Sequence, residues 1–197
     1  MRNRTPMIDV WEIDLTTNDS TQTILRQILA RYVRTSAEEL VIERGEFGKP
    51  YLLYFPEWQF NLSHSGEKLL IAVSYEIPVG VDIEQIKPRR SLAGLVKKCF
   101  AVSEQNYWFG LPEHERLNVF YEFWTRKEAV VKGIGRGIVL GLNRCEIDTA
   151  QPEHFLSLPV NETWRTYQLE QDQNYCASIA INRNDVALRH RKWRNSL

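Results

Sequence analysis

The chain has 197 residues, with 25 Lys plus Arg balancing 25 Asp plus Glu, so it is long enough to bury the core of one or two domains and carries no net charge. That balance argues against wholesale binding to nucleic acid or a membrane surface, and no stretch approaches the roughly 18 to 20 apolar residues that a membrane span needs. The three cysteines, Cys99, Cys145 and Cys176, are far apart and unpaired in spacing, which points to reduced thiols rather than a zinc site or disulfide framework; with no apolar signal core at the start, the expected location is cytoplasmic.

Residues 8–15 read as a strand, and the polar break at 18–20 caps a helix over 21–33 with Leu25, Leu29 and Tyr32 near one face. Ser36 and Glu39 have the spacing of a capping box. A strand over 40–44 leads into a turn marked by Gly45 and by Gly48-Lys49-Pro50. Short strands follow at 60–62, 69–75 and 79–86, the last two joined as a hairpin through Glu76-Ile77-Pro78. Helices are expected at 92–99, 103–109 and 116–132, with Gly133, Gly135 and Gly137 stopping the last. Strands at 144–147, 164–169 and 175–181 complete the pattern, and a polar segment from 182 ends in a basic run that reads as a solvated tail. This grouping favours α+β over a regular parallel sheet.

Three carboxylates carry the chemistry. Side chains alternate along a strand, so Asp82 and Glu84 project together while Val79, Val81 and Ile83 share the other face. At about 100° per residue, Leu117, Phe120, Tyr121, Trp124 and Val131 share an arc of the long helix, and Glu128 falls inside it. A carboxylate facing inward is costly unless a cation or hydrogen-bond donors meet it. Lys132 lies one turn on, at the edge of the arc. A few carboxylates, with phosphates and water completing the shell, are how proteins usually hold magnesium. Taken singly, the same residues have plainer readings: Asp82 and Glu84 as the wet face of a half-buried strand, and Glu128 with Lys132 as an i, i+4 pair. The four histidines are scattered, so a histidine-based metal site is not expected.

In order along the chain, Gly48-Lys49-Pro50, Phe60-Asn61-Leu62-Ser63-His64-Ser65, Gly80-Val81-Asp82-Ile83-Glu84 and Phe123-Trp124-Thr125-Arg126-Lys127-Glu128 with Lys132 resemble the surfactin-synthetase-activating (Sfp) type of 4′-phosphopantetheinyl transferase. The similarity covers about residues 40–181, and four ordered motifs make it specific. It implies an α+β pseudodimer of two similar lobes, each a small, mainly antiparallel sheet packed on a helix, with the active site between them. The lobes would be residues 1–77 and 78–183, followed by a basic tail over 184–197.

The resemblance implies a holo-[acyl-carrier-protein] synthase type of enzyme, moving the phosphopantetheine arm of coenzyme A onto a serine of an apo acyl or peptidyl carrier protein and releasing 3′,5′-ADP. Asp82, Glu84 and Glu128 would hold Mg²⁺. Glu128, or a water on the metal, would take the serine proton, with Glu84 as second choice, and Lys132 would neutralise phosphate charge. Ser63 and His64 would contact a phosphate of coenzyme A, and Lys49 with Pro50 its nucleotide. Lys87-Pro88-Arg89-Arg90, Lys97-Lys98 and the tail from Arg189 are candidates for docking an acidic carrier. The protein is expected to act as a monomer, without nucleic acid or membrane. One departure stands out: the family's basic helical segment before the first helix is replaced by a short link over 15–21, leaving Arg26, Arg31 and Arg34 as nearby cations. The alternative function is therefore a non-catalytic homologue that binds coenzyme A or a carrier.

Overall fold

The computed structural model describes residues 5–15 and 20–193. In chain order, β1 (Met7–Asp14) is followed by α1 (Thr21–Val33), β2 (Ile42–Arg44), β3 (Pro50–Leu52), β4 (Trp58–Ser65), β5 (Lys68–Tyr75) and β6 (Val79–Gln85). Then come α2 (Leu92–Cys99), α3 (Val102–Gly110), α4 (Glu113–Ile134) and short 3-10 turns at Gly137–Leu140 and Leu142–Arg144. Strands β7 (Glu146–Ile147), β8 (Phe155–Ser157), β9 (Arg165–Leu169), β10 (Tyr175–Ile181) and β11 (Ala187–Lys192) complete the order. The fold is α+β, built on small and mainly antiparallel sheets. No helix among the described residues is long and apolar enough to cross a membrane.

Two sheets carry the architecture. The first has the order β11-β1-β5-β4 and the second β6-β10-β9. Strands β1 and β5 are apolar on both faces because both faces are covered. Ile8, Val10, Leu70 and Ala72 meet Val79, Val81, Ile83, Ala177, Ile179 and Ile181 of the second sheet. Trp11, Ile13, Leu69, Ile71 and Val73 instead pack on Ile24, Leu25, Ile28 and Leu29 of α1. Helix α4 covers the far side of the second sheet, giving a layered order of α1, first sheet, second sheet, α4. Ser20 starts α1 by accepting the Thr23 N–H at 3.1 Å, and Arg34 ends it in the left-handed region.

Helix α4 approaches β6 closely through small residues. A Cβ on Gly80 would overlap the Ala129 carbonyl oxygen and the Gly133 backbone, so only glycine permits this contact. Thr125, one turn before Ala129, hydrogen-bonds Ser178 Oγ of β10 at 3.0 Å. Buried α4 residues include Phe120, Phe123, Arg126, Lys127 and Val130, and so point in most directions. The single inward arc expected from the sequence is therefore corrected: α4 is a central helix, also covered by α2, α3 and the segment after it.

The expected hairpin between 69–75 and 79–86 does not form. Both edges of β5 are already taken, by β1 and β4, so β6 crosses into the other sheet. Glu76 takes a positive φ of 57° and Ser74 Oγ donates to the Ile77 carbonyl at 2.5 Å to make that crossing. The tail expected to be solvated is, over Ala187–Lys192, a strand parallel to β1, with Val10 facing His190. Arg189 explains why: it forms two hydrogen bonds with Asp9, which is 3% exposed, at 2.5 and 2.9 Å. Ser36 and Glu39 do exchange capping-box hydrogen bonds, at 3.3 and 3.4 Å. Most of the short link before α1 lies outside the described residues.

Candidate active site

The site lies where the two sheets meet edge to edge. Strand β6 is an edge of its sheet, so part of its backbone lacks ladder partners. Side chains from alternate positions of β4 take that role: Asn61 Oδ1 accepts from Val81 N–H at 2.9 Å, and Ser65 Oγ from Gln85 N–H at 3.0 Å. Between them Ser63 Oγ donates to Asp82 Oδ1 at 2.8 Å. A polar ladder of residues 61, 63 and 65 thus ties β4 to the strand bearing two of the acids.

Lys132 reaches into this joint from α4. Its Nζ lies 2.6 Å from Asp82 Oδ1 and 2.8 Å from Ser63 Oγ. Asp82 Oδ2 is buried and has no hydrogen-bond partner among the described residues. Burial pushes the Asp82 carboxyl above its usual range, against the pull of Lys132 and Ser63. Glu84, two residues on, accepts from Ser65 Oγ at 3.1 Å. Burial, together with the charges of Asp82 and Glu84, raises Glu128 to about 7 despite Lys132. Asp82 and Glu84 lie on β6, and Glu128 projects from α4 one turn before Lys132, which contacts Asp82. As arranged, however, no group of three or more Asp, Glu, His or Cys among the described residues is gathered as a metal cluster.

Glu128 and Lys132 also line one side of a cavity of about 410 Å³, with Arg44, Lys49, Pro50 and Asn61 among its other walls. Arg44 donates to the Gly48 carbonyl at 2.9 Å, fixing the turn between β2 and β3. Lys49 Nζ instead donates to the Gly133 carbonyl at 2.6 Å, where the carbonyls of a helix end lack partners. Burial lowers the Lys49 ammonium to about 8.

The chain matches the model of the 4′-phosphopantetheinyl transferase superfamily over residues 78–180, the stretch that carries the acids and Lys132. It belongs to that superfamily. It is 34% identical over 161 residues to the 4′-phosphopantetheinyl transferase HetI of a Nostoc species, covering 80% of this chain and 67% of that protein. It is 31% identical over 120 residues to Sfp of Bacillus subtilis, covering 61% and 52%, and 41% identical over 92 residues to AcpT of Escherichia coli, covering 46% and 47%. The matches to Sfp and AcpT thus span about half the length of each of those relatives.

Within this phosphopantetheinyl transferase fold, Ser63, Asp82 and Lys132 come together, Glu84 follows on the same strand bonded to Ser65, and Glu128, Lys49 and Pro50 line the adjoining cavity with Lys132. His64 does not join them: it follows Ser63 on the strand, so it is exposed on the opposite face. Two supports went unrecognised in the sequence. Arg44 resembled only a strand end. Lys127, fully buried, pairs with equally buried Glu104 at 2.7 Å and donates to the Leu142 and Cys145 carbonyls. Glu104 also accepts the Ala101 and Ile147 N–H groups, at 2.6 and 2.7 Å. This satisfied network locks α3 and the 142–147 segment to α4 immediately beside Glu128. No local signal marked it, since Ala101 lacks the side-chain oxygen that a capping box with Glu104 would need.

Proposed function

We propose that the chain transfers the 4′-phosphopantetheine group of coenzyme A to a serine of an acyl or peptidyl carrier protein, leaving 3′,5′-ADP. The observation that carries this reading is the contact of Lys132 with Asp82 and Ser63 at the border of a cavity that Lys132 lines together with Glu128, Arg44 and Lys49. Carboxylates and cations side by side suit a pyrophosphate-bearing substrate with its metal ion.

The acids fit magnesium. They offer hard oxygen donors, burial raises the proton affinity of Asp82 and Glu128, and one buried oxygen of Asp82 lacks a partner among the described residues. Held by Asp82, Glu84 and Glu128, the ion would neutralise charge developing on the pyrophosphate oxygens. Lys132 supplies a further positive charge at the same corner and is the group proposed to balance the departing nucleotide. Glu128, at about 7, is poised to take the carrier serine proton, with Glu84 the second choice. Ser63 fixes Asp82 and Lys132 relative to each other. The proposal takes the enzyme to be of holo-[acyl-carrier-protein] synthase type, to act in the cytoplasm, and to work as a monomer.

Incubation with an apo carrier, coenzyme A and Mg²⁺ tests this by intact carrier mass. A gain of one phosphopantetheine, lost on chelation and in Glu128→Gln, is expected. No gain with any of several fatty-acid, polyketide and peptide carriers would overturn it.

A further inference from the structure

Arg89, within the basic run named above as a candidate carrier-docking segment, has no role in the proposed chemistry, yet it is held in place. It follows β6, and its side chain, 36% exposed, folds back over Glu84, with Nη2 3.9 Å from Glu84 Oε2. Its Nε donates to Tyr121 Oη at 3.0 Å, and the guanidinium centre lies 5.5 and 5.9 Å from the Tyr121 and Trp124 rings. Tyr121 Oη also donates to the Lys87 carbonyl at 3.0 Å and accepts its N–H at 3.2 Å, pinning the segment that carries Arg89 to α4. The guanidinium is a rigid plane, so its Nη groups leave Glu84 only if the whole plane slides over the Tyr121 and Trp124 rings and shifts its Nε bond.

Each strand acid thus has a resident cation: Lys132 for Asp82 and Arg89 for Glu84. The two pairs differ. Lys132 is in hydrogen-bond contact, whereas Arg89 stands 3.9 Å off in a partly exposed pair of modest strength. We propose that Arg89 is a displaceable counter-ion of Glu84, which gives way when a divalent cation binds there and turns its Nη groups to the phosphate oxygens of the substrate. Cation and anionic substrate then bind with positive coupling, because each removes a partner that competes with the other. A planar guanidinium suits this exchange, since its fork fits carboxylate and phosphate oxygens alike. The inference rests on the metal-dependent reading of the site.

Binding of Mn²⁺, followed by the electron paramagnetic resonance signal of the free ion, tests it without turnover. Wild type, Arg89→Ala, Arg89→Lys, Arg90→Ala and Glu84→Gln are compared with and without coenzyme A. Without coenzyme A, Arg89→Ala should bind Mn²⁺ about two- to fivefold more tightly, the factor expected for losing a partly exposed ion pair. Arg90→Ala should match wild type, Arg89→Lys, which keeps the charge but loses the fork and the Nε bond, should fall between wild type and Arg89→Ala, and coenzyme A should tighten Mn²⁺ binding less in Arg89→Ala than in wild type. Unchanged or weaker binding in Arg89→Ala overturns the inference, because a residue that merely positions Glu84 would weaken it. Equal tightening in Arg90→Ala overturns it too, reducing the effect to surface charge. If Glu84→Gln binds Mn²⁺ like wild type, the metal reading itself fails and the inference falls with it.

Discussion

Lys132 Nζ lies 2.6 Å from Asp82 Oδ1, so a residue of α4 and one of β6 share a single buried charge contact at the joint between the sheets. Asp82 is 5% exposed on its side chain and Lys132 29%, so water cannot replace either partner fully. Lys132→Ala is expected to destabilise the fold by about 1.5–3 kcal/mol, the range for losing a hydrogen bond to a charged group, with Ser63 still donating to Asp82. Urea unfolding checks this. Transfer to a carrier should fall by about two orders of magnitude, as when one charge-stabilising donor is lost.

The Lys127–Glu104 pair is fully buried, and burial shifts both groups towards their neutral forms. Breaking it from one side strands a charge. Lys127→Met should cost about 3–5 kcal/mol, and the double variant Lys127→Met, Glu104→Leu should recover only part of that loss, because the Ala101 and Ile147 N–H groups lose their acceptor. Denaturant curves of the single and double variants measure the coupling; additive losses would show that the two side chains act independently.

Gly80→Ala tests the close contact between β6 and α4. The new methyl would meet backbone atoms of Ala129 and Gly133, which cannot rotate aside. Overpacking of this kind costs about 1–3 kcal/mol. The catalytic loss should be larger than the stability loss suggests, because moving Glu128 by about 1 Å from the β6 acids can cost about 100-fold. A carrier-modification assay under conditions where the variant is fully folded separates the two effects.

Asp9 gives a pH signature. Burial raises its carboxyl, but hydrogen bonds from Arg189 and Tyr32 and the charge of Arg191 outweigh that and leave it below the usual carboxylate range. A depressed folded value means the unfolded chain takes up the proton first, so this contribution is present above about pH 4 and fades as pH falls through the folded value. In the triple variant Tyr32→Phe, Arg189→Ala, Arg191→Ala the burial effect stands alone and the sign reverses. Stability from this group should then be lost as pH rises through the acid range. Urea midpoints between pH 3 and 6 for both proteins test the reversal.

The sequence disclosed local periods better than tertiary environment. Strand alternation correctly placed Asp82 beside Glu84, and α4 was legible because its apolar spacing is long. The helical wheel failed to single out Glu128, because a wheel assumes one wet face and α4 is covered on most sides. Strands β3 and β8, three residues each, are too short to show a period. Strand β11 has no continuous apolar face, and the charge that seats it comes from Asp9, 180 residues away. Ser63 and His64 stood together as a motif, yet adjacent strand residues face opposite ways, so only Ser63 joins the site.

Strand β11 also imposes an order of events on the chain. The first sheet includes a strand from residues 187–192, so it is incomplete while synthesis has reached only β5. Until then Asp9 has no arginine from β11 and the outer edge of β1 is unpaired, an edge open to pairing with another chain. The second sheet can close as soon as β10 emerges, because its strands are supplied by residues 79–181. The half of the protein made first is therefore the half finished last, and the nascent chain depends longest on chaperoning at its beginning.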